Sequence, residues 1–532
     1  MIGFSDPRHE QDLATVLAKR VTQQPDKPWV VTNEAAHSYR DIDDRSSQMA
    51  GGFAAAGVAA GDTVVLMLPD VIDYIWAWCA LSKLGAIEVP VNVHYRGTIL
   101  SYVLNDSKAA VLVVHEDYLE RIEAVGSDLS HVEQVYVIGE EGELASKHFA
   151  VHAYQELFAS TSPWQGPGPR YRDLMAVMYT SGTTGPSKGA TVTHAHAYEY
   201  AYGVVEMLEL KQDDVYCAAL PLFHLAGQFA LVYCACIAGA TAVLPGTFSA
   251  QGFWRDVHHH KATATFLLGA MANFLYRQEP QSSDADNPLE RVLMVPLIPE
   301  TEAFKVRFNC LVSTTWGGTE MNCPMRSGFD LVDSKSCGRL AHDRFEVRIV
   351  DEDDREMPPG VPGEALVRTK EPWIMSNGYW NHPEWTVEAW RNQWFHTGDM
   401  LMCDEAGNYY FVDRSKDAIR RRGENISSME VENEINAHSG VLESAVIPVA
   451  SKHTEQEVMA VVVAKPGHEL DPAELIGFLE PRMAYFMVPR YVEIVAELPK
   501  TPTGKIQKFP LREKGVMANT WDREAAGIKL RR

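Results

Sequence analysis

Strand-like and helix-like patterns alternate along most of the chain, and that alternation is the strongest constraint on its fold. "YRDIDDRSSQMAGGFAAAG" has helical spacing and closes on Gly57, a residue suited to the left-handed turn that ends helices. "GDTVVLML" then turns and runs as a buried strand, "VIDYIWAWCALSKLGA" is helical and "IEVPVN" is strand-like. "ILSYVLNDS" and "AAVLVV" repeat the pair. Strand and helix alternating in this way predict a parallel sheet with helices on both faces. The pattern resumes with helix "AHAYEYAYGVVEML" and strand "VYCAALPL", then runs through "GATAVLP" and "ATATFLLG" to "CLVSTTWGG".

From about Phe345 the pattern changes. "EVRIVDEDD", "GEALVRT" and "NYYFVDR" are short strands separated by turn residues, as in an antiparallel sheet or small barrel. After Arg414 the chain becomes more charged, and "SSMEVENEINAH", "AVIPVASK", "EVMAVVVAK", "AELIGFLEPRM" and "YVEIVAEL" read as a compact α+β unit. The predicted fold is α/β. A large N-terminal domain, 1–414, has parallel-rich sheets with helices plus a small β-barrel-like part, and a small α+β C-terminal domain spans 415–532. The length of 532 residues agrees with more than one domain.

The net charge of −23 disfavours nucleic acid and anionic membrane as partners. The eight cysteines form no C-x-x-C pair, which suggests reduced thiols in a cytoplasmic protein. Cys234 and Cys236 lie in an apolar run and read as core. The N-terminus shows no basic region followed by an apolar one, so no signal peptide is expected. The longest apolar run, 229–244, is interrupted by Gly239 and is too short for an integral membrane segment. "HHHK" at 258–261 reads as a solvated helix end rather than a metal site, because three consecutive histidines point in different directions.

"MYTSGTTGPSKGA", 178–190, follows the apolar run "LMAVM" and so leaves a strand. Gly182, Gly185 and Gly189 let backbone N–H groups converge on an anion. Ser181, Thr183, Thr184 and Ser187 add hydroxyl donors, and Lys188 adds a positive charge. The combination suits a polyphosphate. It is not the Walker loop, because Ser187 stands where that pattern needs a glycine and Gly189 follows the lysine. Further on, "TTWGGTE" offers Trp316 for stacking on a base, Thr319 for a phosphate and Glu320 for Mg²⁺; taken alone it fits a strand-end turn equally well. Asp399 in "WFHTGDM" can accept from both hydroxyls of a ribose. "FVDRSKDAIRRRGE" offers Arg414, Lys416 and Gly423, and "LPKTPTGKIQK" offers Lys505. The arginines at 420–422, taken alone, read as a solvated face.

The order and spacing of "YTSGTTGPSKG", "PLFH", "WGGTE", "WFHTGD", "DRSKDAIRRRGE" and "PTGKIQK" resemble the AMP-forming adenylating superfamily. That superfamily includes acyl-CoA synthetases, adenylation domains and beetle luciferases. "GDTVVLMLPD", "LGAIEVPVN" and "SNGYWNHPEWT" match as well, and the nearest look is to acid–CoA ligases of the carnitine/crotonobetaine kind. The resemblance implies ATP, Mg²⁺ and coenzyme A as cofactors and a small-molecule carboxylic acid as substrate. The acid attacks the α-phosphate of ATP, pyrophosphate leaves, and a thiol then displaces AMP. The expected assembly is a homodimer.

Residue by residue, the resemblance implies that Thr180, Ser181, Gly182, Thr183, Thr184 and Lys188 grip the β- and γ-phosphates, with Thr184 and Glu320 near the metal. Thr319 meets the α-phosphate. Trp316, flanked by Gly317 and Gly318, sits against adenine where the family usually has Tyr. Asp399 and Arg414 hold the ribose, and Lys505 bridges the carboxylate and the phosphate in the first step. The small C-terminal domain is mobile and swings about a hinge at Lys416. Gly423 then reaches the thiol tunnel, and Arg422 is placed to contact coenzyme A. His224 is the expected gate of the acyl site, with Gln228, Val295, Thr315 and Pro324 as lining candidates. The family's glycine/alanine-rich segment is replaced by Met294, Val295 and Pro296, and Thr315 stands where many aryl-CoA ligases have Gly. Both departures shrink the expected pocket. Betaine-like, medium-chain and ring-bearing acids all remain open as substrates. The alternatives are an enzyme that loads a carrier-protein thiol and a non-catalytic nucleotide-binding regulator. No carrier domain is expected after Leu511, and Lys505, Glu320 and Asp399 argue against the regulator.

Overall fold

A computed structural model of the protein describes residues 11–139, 145–159, 164–180, 187–414, 418–422, 424–451, 456–499, 506 and 508–531. Two seven-stranded sheets form its body. One runs in the order Leu311–Ser313, Arg291–Val295, Ala264–Leu268, Val215–Cys217, Thr241–Val243, Pro28–Val31, Ala36–Ser38. It is parallel except for the hairpin at its Pro28–Val31/Ala36–Ser38 edge. The other runs Ala150–Ala153, Gln134–Ile138, Val111–His115, Thr63–Met67, Ile87–Pro90, Leu174–Thr180, Lys188–Thr193. It too is parallel until its last pair, which is antiparallel. The alternating pattern therefore gives the expected parallel-rich sheets.

Local signals set the helix limits. Ser38 and Asp41 form a reciprocal capping box at the start of helix Tyr39–Ala55. The chain leaves that helix through Gly57 at φ 90°, the left-handed turn expected from the sequence. The apolar run 229–244 is an interior segment. It forms a π-helical turn Gln228–Tyr233, a helix Cys234–Ala238 and a strand Thr241–Val243, and both of its cysteines are buried. "HHHK" closes helix Phe253–His260, as expected. Among the described residues no helix is long and apolar enough to cross a membrane.

The stretch "CLVSTTWGG" holds two strands, so "TTWGG" is itself a strand and not only a strand-end turn. Leu311–Ser313 is an edge of the first sheet, whereas Thr315–Gly318 opens a third, antiparallel sheet. The break falls at Thr314, whose hydroxyl donates to the Met294 carbonyl at 2.7 Å and whose N–H donates to Ser327 Oγ at 2.8 Å. Those bonds replace a continuing ladder and turn the chain from one sheet to the next. The antiparallel part thus begins at Thr315, ahead of the Phe345 expected. Its order is Thr315–Gly318, Asn322–Arg326, Ser336–Leu340, Asn408–Arg414, Phe395–Cys403, Gly363–Thr369, Phe345–Val350. Helix His194–Leu208 is pinned to it by charge: Arg326 reaches Glu199 at 2.7 Å and Glu206 at 2.8 Å.

The C-terminal α+β unit carries a four-stranded sheet ordered Val441–Ala450, Gln456–Ala464, Tyr491–Val495, Trp521–Asp522, with helices Ser428–Asn436 and Pro472–Leu479. A hairpin, Ala418–Arg421 with Glu424–Ser427, precedes it. The arginine run is not one solvated face. Arg421 is buried, its Nε lies 2.7 Å from the buried Glu457 carboxylate, and its guanidinium donates to the carbonyls of Phe486 and Val488 at 2.8 and 3.0 Å. The ion pair with Glu457 and the two carbonyl acceptors offset the cost of burying the guanidinium.

A polar knot lies inside the larger domain. Glu88 Oε1 accepts from Tyr74 at 2.8 Å and from Gln228 Nε2 at 2.8 Å. Glu88 Oε2 and Gln228 Oε1 have no hydrogen-bond partner among the described residues. Burial pushes the Glu88 carboxyl up to about 8. The folded protein therefore holds a proton there that the unfolded chain releases near the ordinary carboxylate value. Stability from this group is full below that ordinary value and is lost as pH rises through about 8. Glu88→Gln keeps the shape and removes the titration. Its melting temperature should match the parent's at pH 4 and exceed it at pH 9. The parent's extra slope between those values should be at most about 1.4 kcal/mol per pH unit; parallel pH profiles for the two proteins would contradict this.

Candidate functional site

The glycine loop joins the two strands of an antiparallel edge hairpin, Leu174–Thr180 and Lys188–Thr193, with Thr180 opposite Lys188. The loop leaves a strand, as expected, but returns as a strand and not directly as a helix. Gly189 is required by close packing: a Cβ there would lie 2.7 Å from Val177 Cγ1 and 3.3 Å from Trp380 Cβ. Ser181, Gly182, Thr183 and Thr184 lie outside the described residues.

The edge of this hairpin is covered by "SNGYW". Trp380 N–H donates to the Gly189 carbonyl at 2.7 Å, and Thr191 N–H to the Gly378 carbonyl at 3.0 Å. The root of the hairpin is fixed by Asp106, which accepts from Tyr179 OH at 2.6 Å and stands 3.0 Å from His382 Nε2. These anchors bring three predicted residues together. Glu320 Oε1 accepts from Thr180 at 3.4 Å and from Tyr379 OH at 3.1 Å. Lys188 Nζ lies over the rings of Tyr379 and Trp385, 4.9 and 5.6 Å from their centroids. A hydroxyl, a carboxylate and an ammonium therefore face one another where the loop opens.

Trp316 and Asp399 meet directly, the indole N–H donating to Asp399 Oδ2 at 3.0 Å. Asp399 stands opposite Arg414 in the ladder of the third sheet, so the two residues expected at a ribose are neighbours. Gly317 lies where a Cβ would be 2.1 Å from the Asn322 carbonyl oxygen, so the strand pair tolerates no side chain there. Gly318 ends that strand, and Thr319 and Glu320 occupy the turn after it.

On the acyl side, Asp70 accepts from Leu222 N–H at 2.6 Å and so fixes the "PLFH" turn. His224 Nε2 lies 2.9 Å from the Glu424 carboxylate. Desolvation opposes a charged His224 ring, but Glu424 outweighs it and raises the ring above its ordinary value. Desolvation likewise opposes the Glu424 charge, and His224 holds that carboxyl below its usual range. Val295 ends strand Arg291–Val295, and the buried Thr315 donates to the Met325 carbonyl at 2.6 Å. Pro324 is buried within strand Asn322–Arg326. Gln228 is fully buried and its amide nitrogen is committed to Tyr74, Glu88 and the Leu222 carbonyl, so it braces the wall from behind.

Contacts from the C-terminal unit reach this region: Glu424 at His224, and Glu430, which accepts from Ser187 Oγ at 2.6 Å. Arg422, at φ 54°, is half-exposed and 3.6 Å from Glu524, on a cavity of about 410 Å³ also lined by Arg421, Tyr485 and Arg523. Lys416, Gly423 and Lys505 lie outside the described residues.

Sequence reasoning missed Asp106, Tyr379, Trp385, Glu424 and Glu430. Tyr379 and Trp385 fall in the quoted "SNGYWNHPEWT" and Glu424 in "RRGE", but nothing in spacing alone joins them to the loop. Asp106 is 73 residues from Tyr179 and 276 from His382, so only the fold reveals its role.

Comparison with known proteins shows the family. The crotonobetaine/carnitine–CoA ligase of Salmonella paratyphi B is 31% identical over 484 residues, 89% of this chain and 93% of that protein. ATP-bound MatB from Rhodopseudomonas palustris superposes with a TM-score of 0.68 at 26% identity, covering 94% of this chain and 98% of its own. The amide bond synthetase McbA from Marinactinospora thermotolerans shares the fold, with a TM-score of 0.81 at 24% identity over 94% of this chain and 99% of its own. The profile of the AMP-binding enzyme family matches residues 17–380, and that of the AMP-binding enzyme C-terminal domain matches 430–505. The chain belongs to the AMP-binding enzyme family.

Proposed function

We propose that this chain is a free-standing acid–CoA ligase. It activates a carboxylic acid as acyl-AMP with release of pyrophosphate, then passes the acyl group to the thiol of coenzyme A. The observation that carries this reading is the convergence of Thr180, Lys188, Tyr379 and Glu320 at the mouth of the glycine loop.

A carboxylate is already ionised at neutral pH, so the first step needs alignment and charge neutralisation more than proton transfer. Thr180 and Lys188 supply a hydroxyl and a cation for the β- and γ-phosphates, and the Tyr379 and Trp385 rings hold the ammonium in place. Asp399, steadied by the Trp316 indole, accepts from the ribose beside Arg414. Thr319 serves the α-phosphate, and Lys505 bridges phosphate and carboxylate.

Among the described residues no three His, Cys, Asp or Glu side chains cluster as a metal site. That fits Mg²⁺, which is usually held by one or two carboxylates together with substrate phosphates. Glu320 would hold it, with Thr184 nearby, and the ion would neutralise charge on the phosphates.

We place the domain boundary at 414/415 and the hinge at Lys416. In the second step Gly423 leaves room for the thiol, while the cavity beside Arg422 suits the phosphates of coenzyme A. Glu424 pairs with His224 and so ties the C-terminal unit to the acyl side of the site. Val295, Thr315 and Pro324 line the acyl wall, with Gln228 behind them. The chain's own negative charge argues against a nucleic-acid partner, and its free cysteines suit the cytoplasm.

A panel of betaine-like, medium-chain and ring-bearing acids tests the reading. One class should release pyrophosphate from ATP, with steady turnover only when coenzyme A is added; a betaine-like acid comes first, given the relative named for crotonobetaine and carnitine. Release that ignores coenzyme A and responds to a carrier-protein thiol would overturn the ligase assignment.

The two half-reactions should separate by mutation. Lys505→Ala should lower acyl-adenylate formation by about a hundredfold or more while sparing thioester formation from preformed acyl-adenylate. Gly423→Leu should do the reverse. Equal losses in both half-reactions for either variant would contradict the division.

A further inference from the structure

We propose that the C-terminal tail, residues 521–531, is part of the coenzyme A site. With the hairpin arginines it builds a cationic cavity for the phosphates of the nucleotide end, in which Arg422 and Lys529 meet those phosphates. The inference rests on the ligase reading proposed above and extends it to a segment beyond residue 505, where the family match ends.

The cavity has a volume of about 410 Å³, within the range of small-ligand sites. Arg421 and Arg422 of the hairpin line it together with Tyr485, and Arg523, Glu524 and Lys529 of the tail complete it. The tail is fixed as a hook. Its first residues, Trp521–Asp522, pair with strand Tyr491–Val495. The buried Arg523 donates to the carbonyls of Pro489 and Ile528 at 3.3 and 3.2 Å, and the chain turns through Gly527 at φ 76°. Arg531 N–H donates to Glu480 Oε1 at 2.7 Å. These bonds hold the exposed Lys529 at the cavity before any ligand arrives.

The whole chain carries a net charge of −23, yet this cavity is positive. Five cations, Arg421, Arg422, Arg490, Arg523 and Lys529, stand at or behind its wall. Among the described residues three carboxylates, Glu457, Asp522 and Glu524, pair within this group. Burial lowers the Arg421 guanidinium to about 10 against the pull of Glu457, and the Arg422 and Arg523 charges add to the shift. Arg523 is lowered too, by burial against Glu524 and Glu457, with Arg422 and Arg490 adding to it. An anion relieves like charges gathered in this way, and a phosphate brings acceptors for guanidinium and ammonium donors alike.

Position ties the cavity to the thiol step. Arg422 is two residues before Glu424, which stands 2.9 Å from His224, so at most about 7 Å of backbone separates them. The Tyr485 ring packs edge-on against His94 of the large domain at 4.9 Å. None of His224, Val295, Thr315 and Pro324 lines the cavity. Coenzyme A carries its phosphates at one end and its thiol at the other, so its phosphate site must lie near the hairpin without being part of the acyl wall. This cavity has that placement.

The test uses the full-length chain and thioester formation from preformed acyl-adenylate, with coenzyme A, 3′-dephospho-coenzyme A and pantetheine as thiols. Lys529→Ala should raise KM for coenzyme A about three- to tenfold with kcat kept. Lys529→Glu should raise it further, Lys529→Arg should stay near the parent, and Arg422→Ala should act in the same direction as Lys529→Ala. With pantetheine, which lacks the nucleotide end, kcat/KM of the Lys529 variants should match the parent's within about twofold. A rise seen with coenzyme A alone assigns the cavity to the 3′-phosphate, and a rise that persists with the dephospho form assigns it to the diphosphate. A KM for coenzyme A within about twofold of the parent's in both Lys529→Ala and Lys529→Glu, or an equal loss with pantetheine, would overturn the role of the tail while leaving the ligase reading intact. A parent that forms no thioester with coenzyme A would overturn the ligase reading itself.

Discussion

The site depends on one register: Thr180 opposite Lys188 in an antiparallel pair at the edge of a parallel sheet. That pairing fixes both ends of the glycine loop on rigid strands, so the residues on either side of its mouth are held before any ligand arrives. An edge strand left open would be a poor platform. Here residues 376–380 lie along it through backbone bonds, and the same segment carries Tyr379 to Glu320 and Lys188. Asp106 clamps the root of the hairpin from another helix. One backbone arrangement thus recruits a carboxylate, a cation and two aromatic rings from three separate stretches of chain.

Charge is handled differently at the two ends of the site. The loop mouth gathers donors and a cation, suited to a ligand with several negative charges. The interface with the C-terminal unit presents carboxylates, Glu424 to His224 and Glu430 to Ser187.

Much of this was legible in the sequence. Alternating apolar runs and capped helices predict the parallel-rich sheets, because helix and strand periods differ and each element here obeys its own. The glycine loop, Glu320, Asp399 and Trp316 were singled out from residue chemistry, and the fold puts Glu320 beside Thr180 and Trp316 beside Asp399. What escaped was tertiary. The strand Lys188–Thr193 was hidden by its glycine and its position directly after the loop. The break at Thr314 depends on bonds to Met294 and Ser327, which no local pattern announces. Arg421 looked like one charge in a solvated run until its partners Glu457, Phe486 and Val488 were in view. Gln228 was expected as a lining candidate of the acyl site, and only the fold shows that its amide nitrogen bonds Glu88, Tyr74 and Leu222.

The central claim is that ATP is split between its α- and β-phosphates by attack of a carboxylate oxygen. Isotope transfer tests it most directly. With the acid that supports turnover labelled with ¹⁸O in its carboxyl group, one labelled oxygen should appear in the phosphate of AMP, and pyrophosphate should remain unlabelled. Label in inorganic phosphate, or AMP formed without label, would show that no acyl-adenylate lies on the path.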